Sequence, residues 1–306
     1  MKKCALSLLY PLLFLYVANA QKNIKSSLKV VDVEREYIVH LPTSYSPEKK
    51  LPLVLIFHGG GGNARQMQGY MGMDKIADAS NFICVYPQGI NKQWNDGREF
   101  KESISANDDV LFISVLLDSL VKQYAVDKSR IFSTGISNGA FFSICLADKL
   151  ADRILAIAPV CGSIPEKTFD AFAPAMPISL LLINGTKDPL VPYNGGGVGN
   201  RFIGNRGNCT STDKTIEKFI SIDQASKTAA ITELPDTDGS DGCTATQYSY
   251  TNEKNKTTVL LVKITGGGHT LPGAAQYLPK FIIGKVCRDF EANEMIWNFF
   301  ASCKPR

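Results

Sequence analysis

Leu53-Val-Leu-Ile-Phe57 is an unbroken apolar run of strand length, bounded by Pro52 and by His58-Gly59-Gly60-Gly61-Gly62. With no polar position inside it, the run predicts a strand buried on both faces, as in a parallel sheet. Similar runs recur at Phe82 to Tyr86, Arg130 to Thr134, Ile154 to Val160, Ile178 to Ile183 and Thr258 to Ile264. Helical patterns fall between several of them. The clearest opens on the acidic Asn107-Asp108-Asp109 and sets Ile113, Leu116, Leu117, Leu120, Val121 and Tyr124 on one face. A second lies near Lys214 to Gln224, and a third falls between Cys287 and Cys303. Ser27 to Leu41 instead alternates in two short stretches around Asp32 to Arg35, which predicts a hairpin at a sheet edge. Strands alternating with helices imply a mostly parallel central sheet with helices on both faces. No repeat or low-complexity linker divides the chain, so residues 21–306 are expected as one α/β domain. The stretch Asn194 to Asp241, richer in Gly, Asn, Thr and Asp, reads as an elaboration on it.

Residues 1–20 carry a different pattern: Met-Lys-Lys, an apolar stretch from Ala5 to Val17, then Ala18-Asn19-Ala20. This is the pattern of a secretory signal peptide cleaved near Ala20, and Pro11 and the short run argue against a membrane anchor. A secreted protein, extracellular or periplasmic, is expected. The formal charge of +4 falls to about +2 without Lys2 and Lys3, and the basic residues are scattered, so nucleic-acid binding is not indicated. Of the eight cysteines, Cys4 leaves with the leader. Seven in an oxidising compartment leave at least one thiol unpaired. Cys84, Cys145 and Cys161 lie in apolar runs and read as buried thiols. Cys209 and Cys243 flank a polar stretch and are the expected disulfide.

The chemistry centres on Arg130-Ile-Phe-Ser-Thr-Gly135-Ile136-Ser137-Asn138-Gly139-Ala140, a strand followed by G-x-S-x-G and a helical run. That order is what a nucleophile elbow requires, with Ser137 pushed out at the end of the strand. A serine hydroxyl needs a base, normally a histidine oriented by a carboxylate. The chain holds only His40, His58 and His269. In a fold where serine, acid and histidine follow in that order, only His269 qualifies, in Gly266-Gly-Gly-His-Thr270 after a strand. His40, in mid-strand, reads as structural, and His58 as a brace for the glycine loop. Asp188 follows the strand ending at Ile183 and is the expected acid, ahead of Asp213, Asp223, Asp236, Asp238 and Asp241 in polar contexts. The oxyanion hole is expected from the backbone N–H of Asn138 and that of Gly60, with Gly59 next in line. Trp94, beside Asn95 and Asp96 in a polar loop, has two readings. It is either a core aromatic or a platform at the catalytic edge that binds substrate by stacking on an aromatic acyl group or a sugar. No metal or organic cofactor is implied, since the chain lacks C-x-x-C and is poor in histidine.

From about Val30 to Phe300 the sequence resembles the secreted esterases of the polyhydroxybutyrate depolymerase type, which overlap with feruloyl and acetylxylan esterases of the first carbohydrate-esterase family. The matching segments are His58-Gly-Gly-Gly-Gly-Asn63, Trp94-Asn95, Asp108-Asp109-Val110, Gly135-Ile-Ser-Asn-Gly139, Gly185-Thr-Lys-Asp-Pro-Leu-Val-Pro-Tyr193 and Gly266-Gly-Gly-His-Thr-Leu-Pro-Gly273. The resemblance implies an α/β-hydrolase fold and supports Ser137, Asp188 and His269 as the triad. It implies feruloyl or acetyl esters of plant polysaccharide as substrates, with short-chain polyhydroxyalkanoate as the alternative and peptidase activity open to the same machinery. A non-catalytic carbohydrate-binding protein is the reading of another class. No obligate protein partner is indicated.

Overall fold

The computed structural model describes residues 22–98, 100 and 108–305, so the expected signal peptide and Asn107 lie outside the described residues. In chain order the elements are β1 (Lys22–Val30), β2 (Val33–Leu41), β3 (Leu51–Phe57), α1 (Ala64–Met71), α2 (Met73–Ser80) and β4 (Ile83–Pro87). Then come α3 (Asp109–Gln123), β5 (Val126–Ile136), α4 (Asn138–Lys149), β6 (Ala156–Val160), β7 (Ser179–Gly185), β8 (Gly196–Asn200) and β9 (Gly204–Cys209). The chain closes with α5 (Thr212–Asp223), β10 (Ala230–Glu233), β11 (Thr244–Asn252), β12 (Thr257–Thr265), α6 (Lys280–Ile283) and α7 (Ala292–Ser302).

Ten strands form one sheet in the order β1-β2-β4-β3-β5-β6-β7-β12-β11-β10. The six from β4 to β12 run parallel, and antiparallel pairs finish both edges. β3, β4, β6 and β7 are buried along their whole length, which is why their sequences carry no polar face. Period-two alternation divides β3 between two cores. Leu53, Leu55 and Phe57 face a layer holding Leu116 and Leu120 of α3, Phe142 of α4 and Phe219 of α5. Val54 and Ile56 face the other layer, with Met67 of α1, Ala77 of α2 and Phe300 of α7. The expected edge hairpin is β1–β2, turning at Val31 and Asp32. Asp108 caps α3 by accepting the Leu111 N–H at 2.8 Å. Among the described residues no helix is long and apolar enough to cross a membrane.

The cysteines depart from expectation. All seven described thiols are unbonded, and Cys209 and Cys243 are not partners. Cys209, at the end of β9, packs with Phe141, Val191 and Val198, whereas Cys243 lies in the layer covered by α7, beside Cys287. Their polar flanks suggested a shared loop, but the chain between them contains α5 and β10 and crosses from the separate β8–β9 pair to an edge of the ten-stranded sheet.

Candidate active site

Strands that run parallel bring their C-terminal ends to one edge, and the loops there carry the reactive side chains. Between β5 and α4 the chain turns at Ser137, whose φ of 57° and ψ of −122° are strained for a residue with a side chain. The flanking glycines make the turn possible. A Cβ at Gly135 would lie 2.7 Å from the Phe57 carbonyl oxygen, and one at Gly139 only 2.3 Å from it. Asn138 opens α4, so its N–H is a first-turn donor that no intrahelical carbonyl reaches.

His269 follows β12, and Asp188 follows β7, the adjacent parallel strand. His269 Nδ1 and Asp188 Oδ2 are 2.8 Å apart, and both side chains are buried. The other carboxylate oxygen, Oδ1, accepts the N–H groups of Leu190 and Val191, each at 2.8 Å, which fixes the carboxylate plane. Three of the competing aspartates are engaged elsewhere. Asp213 accepts the Tyr193 hydroxyl, Asp223 the Ile178 N–H, and Asp241 the N–H groups of Cys243 and Arg288.

Ser137, Asn138, His269 and Gly60 line one cavity of about 600 Å³. Gly61 N–H bonds to Lys92 O at 2.8 Å and Gly62 N–H to Gly59 O at 3.0 Å, so the glycine loop is held in shape with Gly60 at the cavity. His58 braces it as expected: Nδ1 donates to Gly59 O at 2.9 Å and Nε2 accepts the Gly89 N–H at 3.0 Å. Burial lowers this imidazole from 6.5 to about 4, against a smaller opposing effect of the Gly59 hydrogen bond. The unfolded chain therefore takes up a proton below pH 6.5 that the folded chain refuses. This contribution to stability is complete above pH 6.5 and is lost as the pH falls towards 4. It amounts to about 3 kcal/mol. Denaturant titrations from pH 7 to 4.5 should show falling stability, and His58→Asn should flatten that slope.

The match to known proteins follows this geometry. Residues 35–180 match the family described as Esterase PHB depolymerase. The match takes in the glycine loop and the serine elbow and makes the chain similar to this esterase family over that segment. With relatives and structural neighbours named as esterases, it is a carboxylic-ester hydrolase. NocK of Nocardia uniformis subsp. tsuyamanensis, named as an esterase, is 26% identical over 272 residues, 87% of this chain and 78% of NocK. Feruloyl esterase C of Emericella nidulans is 30% identical over 186 residues; the match covers 58% of this chain and 64% of that protein. The solved acetyl xylan esterase of Aspergillus awamori superposes with a TM-score of 0.56 at 13% identity, covering 81% of this chain and 95% of that one. It shares the α/β-hydrolase fold.

Of the two readings of Trp94, the structure carries the core aromatic and not the substrate platform. The indole is completely buried, stacked on Phe142 with ring centres 4.9 Å apart and set edge-on to Phe57. Its Nε1 donates to His58 O at 3.0 Å, its backbone N–H donates to Asn138 Oδ1, and its carbonyl accepts from Asn138 Nδ2. The esterase thus uses Trp94 to join the loops after β3, β4 and β5 from beneath. Trp94→Ala should therefore destabilise the fold by about 3–5 kcal/mol. Chemical denaturation checks this, with losses on acetyl and feruloyl esters expected to be alike.

Sequence reasoning missed the outer walls. Tyr70 and Tyr277 meet edge-on at the cavity, with ring centres 5.4 Å apart. Tyr277 donates to His269 O at 3.2 Å, and Leu271 N–H donates to Tyr70 Oη at 3.2 Å. The opposite wall comes from the β8–β9 hairpin, with Val198, Ile203 and Arg206, and from Arg98 and Phe100. Phe202 at the hairpin tip packs against Phe281 of α6, and both are exposed. Cys161, at φ 54°, lies against Asp188 and His269, with its thiol 3.4 Å from Thr270 O. Of the cavity lining, the glycine loop, the elbow and the His269 segment carried recognisable patterns, and these walls did not.

Proposed function

We propose that this esterase hydrolyses its substrates through Ser137, His269 and Asp188 by way of an acyl-enzyme. The observation that carries the reading is the 2.8 Å contact of His269 Nδ1 with Asp188, with His269 and Ser137 bordering the same cavity. With Nδ1–H committed to the carboxylate, Nε2 is the nitrogen left to take the Ser137 proton. The serine oxygen then attacks the ester carbonyl, and the developing oxyanion is met by the amides of Asn138 and Gly60. The imidazolium returns its proton to the leaving alcohol, and a water activated by the same base releases the acid.

For the substrate we infer a feruloyl or acetyl ester of plant polysaccharide. The names of the curated and solved relatives favour this class, and a cavity of about 600 Å³ exceeds the needs of an acetyl group alone. Polyhydroxybutyrate is the second reading, favoured by the family description. The leader pattern ending in Ala18-Asn19-Ala20 supports secretion. The ten-stranded sheet, which takes strands from both ends of the described chain, supports one catalytic domain across residues 21–306. Methyl ferulate, acetylated xylan and polyhydroxybutyrate assayed side by side test the assignment. The highest kcat/KM is expected on one of the first two, and preference for the polyester would replace the reading.

A further inference from the structure

Two cysteines far apart in the chain are held against each other at a position that supports the His269 loop. Cys243 immediately precedes β11, and Cys287 lies in the segment between α6 and α7. Both are buried in the same apolar layer, 3% and 1% exposed, and near enough for each thiol to shift the other's titration. Asp241 fixes the approach. Its Oδ1 accepts the Cys243 N–H and its Oδ2 the Arg288 N–H, both at 2.6 Å, so one carboxylate clamps the backbone beside each thiol. The 283–287 segment is the ledge on which the histidine loop rests. Ile283 O accepts the His269 N–H, Lys285 O accepts both the Gly268 N–H and the Thr270 hydroxyl, and Cys287 O accepts the Gly273 N–H.

We propose that Cys243 and Cys287 form a disulfide in the mature protein, stapling the ledge beneath His269 to the start of β11. The oxidant is a low-molecular-weight disulfide of the glutathione class. Deprotonated Cys243 attacks one sulfur of the donor, breaking its S–S bond and releasing one thiol. Deprotonated Cys287 then attacks the Cys243 sulfur of the mixed disulfide and releases the second thiol. One S–S bond replaces another, the donor gains two electrons, and the two protons end on its thiols. Cys243 suits the first step, because the neighbouring Cys287 thiol, helped by the charge of Lys285, holds its thiol below the ordinary range against burial and Asp241. A cation held by Asp241, Cys287 and Asp289 is the rival use of this cluster. It would compete with backbone N–H groups that already occupy both oxygens of Asp241 and Oδ1 of Asp289.

The inference stands apart from the catalytic reading and is tested without an assay. Mature protein equilibrated in a glutathione redox buffer is denatured without reductant, alkylated and mapped as peptides. The expected result is five alkylated cysteines of the seven and one linked pair, Cys243 with Cys287. The oxidised chain should be lighter than the reduced one by about 2 Da, the two hydrogens lost. Alkylation of all seven, a link to any other cysteine, or protection of the pair by zinc without a bond would overturn the proposal. In melting experiments the oxidised form should unfold roughly 5–10 °C above the reduced form. The double variant Cys243→Ser, Cys287→Ser should melt alike in both buffers. A redox-dependent shift that survives the double substitution would also refute the pairing.

Discussion

Ser137→Ala should lower kcat/KM on every ester substrate by about 10⁵-fold or more, because the nucleophile is removed and no neighbouring side chain replaces it. The fold should not notice. Alanine keeps the Cβ and meets the same strained backbone as serine does at φ 57°, and Gly135 and Gly139 still permit the close approach to β3. Melting temperature should stay within about 2 °C of the parent. The comparison needs both measurements on the same preparation, with an acetyl and a feruloyl ester. An active, equally folded variant would remove Ser137 from the mechanism.

Asp188→Asn should cost about 10⁴-fold in kcat, for a reason visible in the hydrogen bonds. Oδ1 already accepts two backbone N–H groups, from Leu190 and Val191. An asparagine keeps its carbonyl oxygen there and turns its NH₂ towards His269 Nδ1. That nitrogen must then accept, the ring proton moves to Nε2, and Nε2 can no longer take a proton from serine. Binding should change much less than turnover, so KM is expected to stay near the parent value. Asp213→Asn loses only a contact with the Tyr193 hydroxyl and should leave activity within about twofold. If Asp213 proved the more damaging position, the acid would have to be reassigned.

What the sequence revealed depended on how local its causes were. β3, β6 and β7 were legible because strands covered on both faces carry few polar residues, and G-x-S-x-G was legible because the elbow forbids side chains at Gly135 and Gly139. Trp94 misled because polar neighbours usually mean solvent. Here they satisfy one another inside the protein: Asp96 pairs with Arg98 at 2.6 Å, Asn138 donates to Asp96, and Asp109 joins Arg35 to the Asn95 N–H. Cys243 and Cys287 were illegible as neighbours for a different reason. Their meeting is created by the antiparallel turn of β11 onto β12 and the return of the chain below the His269 loop, and no spacing records it. The β8–β9 wall was hidden by its glycines, which resemble a loop as readily as a hairpin.

The cavity has two sides of unequal construction. The reacting side is anchored through Trp94, His58 and Asn138 into the apolar layers of the sheet, so a change there threatens folding as well as chemistry. The other side is a two-stranded hairpin, braced at the surface where Phe202 meets Phe281 of α6. Substitutions at the tip of that hairpin leave the core intact, so selection can explore new acyl groups there while the reaction itself stays fixed. Divergence of preference within such a lineage should accumulate at the exposed tip of the β8–β9 hairpin, and directed evolution towards a new ester has its safest library in the same few positions.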